Sequence, residues 1–202
     1  MHIYLVRHGE TDWNTRMLFQ GHTDIPLNKT GISQAKHIAG ELKNKMIEAI
    51  ISSDLKRAVQ TADEIRKVAL KDCRVERNKG LRERDYGNFE GKSYNLYSAN
   101  MPGFTGEKDG KFFARVNRTF RAIIKKYEGK NIAIVTHGGV VRQMAAFVLG
   151  LKNYGRLRIY NASLSEIYYD EKKKAFFLLL LNSISHLPEK ERNKIQYHIK
   201  GV

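Results

Sequence analysis

Twice in this chain a short apolar run stops at His-Gly. Residues 3–6 run into Arg7-His8-Gly9, and residues 131–136, Asn-Ile-Ala-Ile-Val-Thr, run into His137-Gly138-Gly139. Short, nearly continuous apolar segments of this kind read as buried strands. In an open α/β sheet, ligands bind beyond the carboxyl ends of the strands. The two junctions therefore put two histidines and an arginine at one edge of a sheet. A lone Arg-His-Gly is a chance-level signal, whereas two strand–His-Gly junctions in one chain are much rarer.

The intervening sequence supplies helices to cover such a sheet. After an irregular loop around residues 20–27, Thr30 is the expected cap of a helix carrying Ile32, Ala35, Ile38, Ala39 and Leu42 at helical spacing. Residues 49–51 read as a second strand. Ser52, Ser53 and Asp54 then offer caps for a helix over 55–62. Arg57 thereby falls in a first turn, where free N–H groups and the helix dipole favour an anion. Residues 73–77 form a weak third strand. The loop over 81–91 follows, with Glu83, Asp85 and Glu90 set among arginines. Most such acids are surface partners of little energetic weight, but one of them is a candidate general acid. Residues 92–110 read as an irregular, lid-like excursion with a short helix near 94–99. A helix over 112–127, another over 140–149, and strands over 163–169 and 175–181 joined at Asp170-Glu171-Lys172 complete the pattern. The tail from Pro188 is charged. The alternation predicts an α/β three-layer sandwich with a mostly parallel sheet, one antiparallel edge strand from the final hairpin, and helices on both faces.

The 202 residues suit one domain, 1–202, and the 42% apolar content is that of a globular chain. The apolar run 175–181 is too short to span a bilayer. Charge appears by residue 7 without a leader pattern, so a cytoplasmic location is expected. The single cysteine, Cys73, allows no internal disulfide and reads as buried packing. A net charge of +15 would attract nucleic acid, anionic membrane or phosphorylated small molecules. No nucleic-acid module accompanies it, and lysines such as Lys125-Lys126 and Lys172-Lys173-Lys174 sit at expected helix ends and turns. The expected partner is a small molecule, with neither nucleic acid nor membrane; the oligomeric state is open.

Several side chains carry candidate chemistry. Arg7 presents a fork suited to phosphate or carboxylate oxygens. His8 could attack an electrophile, shuttle a proton or bind a metal. Asn14 could donate its amide to an anion or cap a helical turn, and the neighbouring Trp13 reads as packing. His22 and His186 are weaker candidates for a pocket wall, while His2, His37 and His198 read as ordinary. No histidine pair has metal-ligand spacing in acidic or cysteine company, so neither metal nor cofactor is expected.

Five blocks now stand in order. They are Leu-Val-Arg-His-Gly-Glu-Thr-Asp-Trp-Asn at 5–14, Gly21-His22-Thr23-Asp24 with Pro26-Leu27, Ser-Ser-Asp-Leu-Lys-Arg-Ala at 52–58, Leu81-Arg82-Glu83 with Tyr86-Gly87, and Val-Thr-His-Gly-Gly at 135–139. Together they resemble the histidine phosphatase superfamily, the phosphoglycerate-mutase-like fold, over residues 1–185. The resemblance implies a metal-independent enzyme in which His8 becomes phosphohistidine and Glu83 serves as general acid and base. It implies that Arg7, Arg57 and His137 hold the phosphoryl oxygens, with Asn14 assisting. It also suggests Gln20, Gly21, His22, Arg84, Tyr86 and Gly138 as substrate contacts. The mutase pattern wants a lysine near position 94, where Tyr94 stands, and an Arg-Arg pair that residues 92–118 lack. Those departures favour a phosphomonoester hydrolase resembling small phosphatases such as α-ribazole phosphatases. Phosphoglycerate mutase is the alternative. A catalytically inactive binding protein or a nucleic-acid-associated protein stands further behind.

Overall fold

The computed structural model describes residues 1–69, 74–94, 103–151 and 157–197. Cys73, Tyr97, Met101 and His198, and nearly all of the helix expected over 94–99, lie outside those residues. Six strands form one sheet: β1 (His2–Arg7), β2 (Ala49–Ser52), β3 (Glu76–Arg77), β4 (Ile132–Thr136), β5 (Leu164–Asp170) and β6 (Ala175–Ser183). Their order is β3-β2-β4-β1-β5-β6. The pairs β1–β4, β2–β4 and β2–β3 are parallel, while β1–β5 and β5–β6 are antiparallel. The final hairpin therefore forms the antiparallel flank. Its reversed strand is β5, one place in from the edge, and β6 runs with the rest.

The helices are α1 (Asp12–Thr15), α2 (Lys29–Leu42), α3 (Lys56–Ala69), α4 (Asp109–Lys126), α5 (Gly138–Val148) and α6 (Glu189–Tyr197). Side chains alternate across a pleated strand, and the core divides accordingly. Ile3 and Leu5 of β1 and Ile132 and Ile134 of β4 pack with Phe112, Val116 and Phe120 of α4 and Val140 and Met144 of α5. Tyr4, Val6, Ala133 and Val135 face the other way, onto Ile38 and Leu42 of α2 and Ala58, Ala62 and Ile65 of α3. Burying both faces of β1 and β4 puts them at the centre of a three-layer sandwich. Among the described residues no helix is long and apolar enough to cross a membrane.

Several boundaries differ from the sequence reading. The cap of α2 is Asn28, whose side chain accepts from Gly31 N at 2.8 Å, so Thr30 lies inside the helix. Asn28 wins because its amide also donates to Glu10 Oε1 at 3.0 Å, a partner 18 residues away. β3 has two residues rather than five. Helix α5 starts at Gly138, with His137 as its extended N-cap. The lysines at 125–126 and 172–174 are exposed at a helix end and at the hairpin turn.

Candidate active site

The carboxyl ends of β1, β4 and β2 are level. Arg7 stands opposite Thr136, and Ser52 opposite Val135. The alignment continues one residue further: His8 N donates to Thr136 O and Ser53 N to Val135 O, each at 2.9 Å. His8, His137 and Ser53 therefore leave the sheet side by side, and the two imidazole rings meet edge-on with centroids 5.2 Å apart. Arg57 joins them from the first turn of α3, fully buried. Glu83 arrives on the loop that follows β3 and the tight turn Lys79–Leu81.

Each group is held in a definite chemical form. His8 Nδ1 lies 2.7 Å from Gly9 O. A carbonyl only accepts, so Nδ1 carries the proton and Nε2 is left as the unprotonated nitrogen. Burial first, then the guanidiniums of Arg57 and Arg7, hold His8 well below the ordinary histidine value, and the bond to Gly9 opposes them. Burial, Arg57, His8 and Arg7 do the same to His137. Two neutral imidazoles thus stand among fixed cations. Arg57 is pulled down to about 10, chiefly by burial. Its terminal nitrogens donate to backbone, to Thr23 O at 2.9 Å and Gly21 O at 2.8 Å. Arg7 likewise donates to Ile159 O. Three buried nitrogens in this cluster, Arg7 Nε, Arg57 Nε and His137 Nδ1, meet no hydrogen-bond partner among the described residues. A buried donor without a partner is costly, and three gathered at one sheet edge beside His8 have the chemistry to receive an oxyanion.

Glu83 is anchored by both oxygens. It accepts from Arg84 N at 3.0 Å and Gly139 N at 2.9 Å. The second bond needs glycine at 139, because a Cβ there would run into Glu83 Oε1. Arg115 braces the same loop, donating to Gly80 O, Arg82 O and Glu83 O while paired with Glu107.

The remaining sequence candidates surround this centre in supporting positions. Gly21 gives its carbonyl to Arg57. His22 Nε2 lies 3.0 Å from Glu83 O, which fixes Glu83 rather than any metal. Gln20 is buried, and its carbonyl oxygen meets no partner among the described residues. Asn14 occupies the capping box of α1: its Oδ1 accepts from Thr11 N at 3.1 Å and from Asn161 Nδ2 at 3.1 Å. Gly138 lies beside Arg7, with a Cβ position 3.4 Å from its Nε. Tyr86 packs on Phe19 at 4.6 Å. Arg84 is committed elsewhere. It donates to Glu107 O at 2.7 Å, pairs with Asp109 at 2.5 Å and lies over the Phe104 ring, so its contacts tie down residues 104–109. His186 lies 2.9 Å from Ala162 O, behind the strand end that bonds His8 O.

Sequence reasoning missed Thr61, Arg115 and Asn161, and the supporting contacts of Ser53 and Glu90. His137 Nε2 lies 2.8 Å from Ser53 Oγ. Thr61 accepts from Gly9 N, and Asn161 donates to His8 O and Gly9 O. Glu90 gathers His22 N, Thr23 N and Tyr86 N on one carboxylate. Among the described residues no group of three or more His, Cys, Asp or Glu is placed to hold a metal ion.

A six-stranded mixed sheet with paired histidines, a buried Arg57 and a half-buried Arg7 at its carboxyl edge defines a protein of the phosphoglycerate-mutase-like fold. The chain belongs to the histidine phosphatase superfamily, branch 1, whose family model matches residues 3–182. It is 31% identical to a probable phosphoglycerate mutase GpmB of Enterobacter over 97% of this chain and 99% of that one. A phosphoserine phosphatase mutant from Entamoeba histolytica, solved in complex with phosphoserine, superposes with a TM-score of 0.81 at 26% identity, covering 93% of this chain and 99% of that one. The α-ribazole phosphatase of Shigella flexneri gives 0.80 at 27% identity, covering 91% and 96%. The chain is therefore an enzyme of the phosphatase and phosphotransferase kind.

Proposed function

We propose that the chain is a metal-independent phosphomonoester hydrolase that works through a phosphohistidine on His8. The observation that carries this reading is the set of three buried nitrogens that meet no partner among the described residues, Arg7 Nε, Arg57 Nε and His137 Nδ1, around a histidine whose Nε2 is unprotonated. Phosphoryl transfer asks chiefly for positioning and for charge on the equatorial oxygens, and two arginines and an imidazole N–H supply both. His8 Nε2 attacks phosphorus as the P–O bond to the alcohol breaks. Glu83 gives its proton to the departing oxygen. The resulting carboxylate then takes a proton from the water that cleaves the N–P bond, which releases phosphate and restores both groups.

Hydrolysis is favoured over the mutase reaction by Tyr94, which fills the position where the mutase pattern wants a lysine and whose ring packs on Phe19 at 4.7 Å. The names of the phosphoserine and α-ribazole phosphatase neighbours support the same reading, while the GpmB name keeps the mutase as the competitor. The test is phosphate release from 4-nitrophenyl phosphate with chelator present. Native enzyme should turn over, and His8→Ala should lose at least about 10³-fold, as nucleophile removal typically does. An undiminished His8→Ala rate rejects the phosphohistidine. Isomerisation of 3-phosphoglycerate that greatly outpaces phosphate release identifies a mutase instead.

A further inference from the structure

Glu83 lies in irregular chain past the end of β3, where no strand holds it. Its anchor is one face of α4. Arg115 stands on the second turn of that helix, and its five N–H groups meet five acceptors. Nε donates to Glu107 Oε1 at 2.9 Å, and Nη2 to Glu107 Oε2 at 2.6 Å and Glu83 O at 3.2 Å. Nη1 donates to Gly80 O and Arg82 O, each at 2.9 Å. One turn away in either direction the same face of α4 continues the contact. A Cβ on Gly80 would run into Thr119 Oγ1, and one on Gly139 would lie 3.3 Å from the Phe112 ring.

Three carbonyl oxygens turned toward one point repel one another, and a planar cation between them makes that geometry stable. Glu107 supplies the countercharge and is itself locked to the same loop. Its N–H donates to Asp85 O at 2.8 Å, and its carbonyl accepts from Arg84 Nε at 2.7 Å. The chain on either side of Glu83 is thus tied to Glu107, Glu107 to Arg115, and Arg115 back to Glu83. Both ends of Glu83 are fixed together. Arg115 and His22 hold its carbonyl, and Arg84 N and Gly139 N hold its carboxylate. Gly139 is the second residue of α5, so its N–H has no acceptor within the helix and depends on Glu83.

We propose that Arg115, neutralised by Glu107, is the positioning residue that holds Glu83 where it can give its proton to the departing oxygen. The proton transfer rests on the hydrolase reading; the holding of Glu83 rests on the five bonds of Arg115. Proton transfer needs hydrogen-bond reach between acid and leaving oxygen, and a misplacement of about 1 Å can cost about 100-fold. Lysine cannot take over the role, because an ammonium has three donors for five acceptors.

Leaving-group dependence tests it. 4-Nitrophenolate departs with little help from an acid, whereas the alkoxide of glycerol 2-phosphate needs the proton. The readout is kcat/KM, which covers the steps through departure of the alcohol. Arg115→Lys and Glu107→Gln should each lose activity on both esters, and about ten-fold more on glycerol 2-phosphate, a part of the 10²- to 10⁴-fold that a general acid supplies. Glu83→Gln should skew the two esters in the same direction. Equal losses on both esters, or no loss on either, overturn the proposal, because a merely structural brace would not discriminate leaving groups. Should Arg115→Lys not fold, Glu107→Gln, which keeps an acceptor for the guanidinium, decides alone. Amide exchange at Gly139 separates the holding of Glu83 from turnover. It should quicken at least about ten-fold in Glu107→Gln and Arg115→Lys as the carboxylate lets go. If native enzyme releases phosphate from neither ester, or Glu83→Gln shows no skew, the acid role and the hydrolase reading fail. Faster exchange at Gly139 then still upholds the positioning of Glu83, and unchanged exchange rejects it.

Discussion

At the scale of single residues, the choice of imidazole proton decides whether His137 helps or hinders an oxyanion. Leu55 N donates to Ser53 Oγ at 3.4 Å, which leaves the serine proton free for His137 Nε2. When the serine hydroxyl donates to Nε2, the imidazole proton sits on Nδ1, the nitrogen that meets no partner among the described residues. A neutral histidine in that tautomer donates to a phosphoryl oxygen; in the other it presents a lone pair and repels one. Ser53→Ala is expected to lower kcat/KM by about ten- to a hundred-fold, the usual cost of losing a group that orients a site histidine. Nitrogen-15 spectra should show His137 passing from a single tautomer to a mixture, and Ser53→Thr should restore both. A spectrum that does not change on Ser53→Ala would reject the orienting role. His8, His137 and Arg57 were legible in the sequence because each follows its own strand end within a few residues. Ser53's role was not, because its partner lies 84 residues away. Asn161 reaches back 153 residues to His8.

At the scale of elements, the loop after β1 and the first turn of α2 touch backbone to backbone. A Cβ on Gly31 would run into Glu10 O, and one on Gly9 into Gly31 O. This close approach is locked by Asn28 bonding Glu10 and by Glu10 N donating to Gln34 Oε1 at 2.9 Å. Gly31 is an ordinary helical position by sequence, and nothing in its periodicity announces the contact. Gly31→Ala suits an isolated helix yet should destabilise the protein by about 2 kcal/mol, as overpacking does, because backbone cannot move aside as a side chain can. Urea unfolding measures the loss, and kcat should fall with it as the His8 turn shifts. A variant as stable as the native protein would show that the loop yields. The same principle explains why helix existence was readable and helix starts were not: Asn28 and Thr30 are both good caps, and a distant carboxylate chose between them.

At the scale of the whole molecule, three histidines refuse protons in the folded state. His8, His137 and His186 are all held below the ordinary 6.5, each first by burial. The unfolded chain binds protons at these positions as pH drops below about 6.5, whereas the folded chain takes them up only at lower pH. Stability therefore rises with pH in the window beneath 6.5 and is complete above it. The urea midpoint should fall between pH 7 and pH 5, and His186→Asn, which removes one of the three titrating imidazoles, should reduce the slope. A midpoint that is flat or rises toward pH 5 contradicts this account. The chain's high positive charge acts in the same direction, since each added proton increases self-repulsion. Short continuous apolar runs, helical spacing and the two strand–His-Gly junctions sufficed by themselves to determine a sandwiched sheet with histidines at its carboxyl edge, because those signals are local. Tertiary structure alone decided that β5 rather than β6 is the reversed strand, that Arg84 serves Asp109, and that Ser53, Arg115 and Asn161 hold the site. These outcomes depend on hydrogen bonds and charges between residues far apart in the chain, whose partners exist only once the sheet has aligned its strand ends.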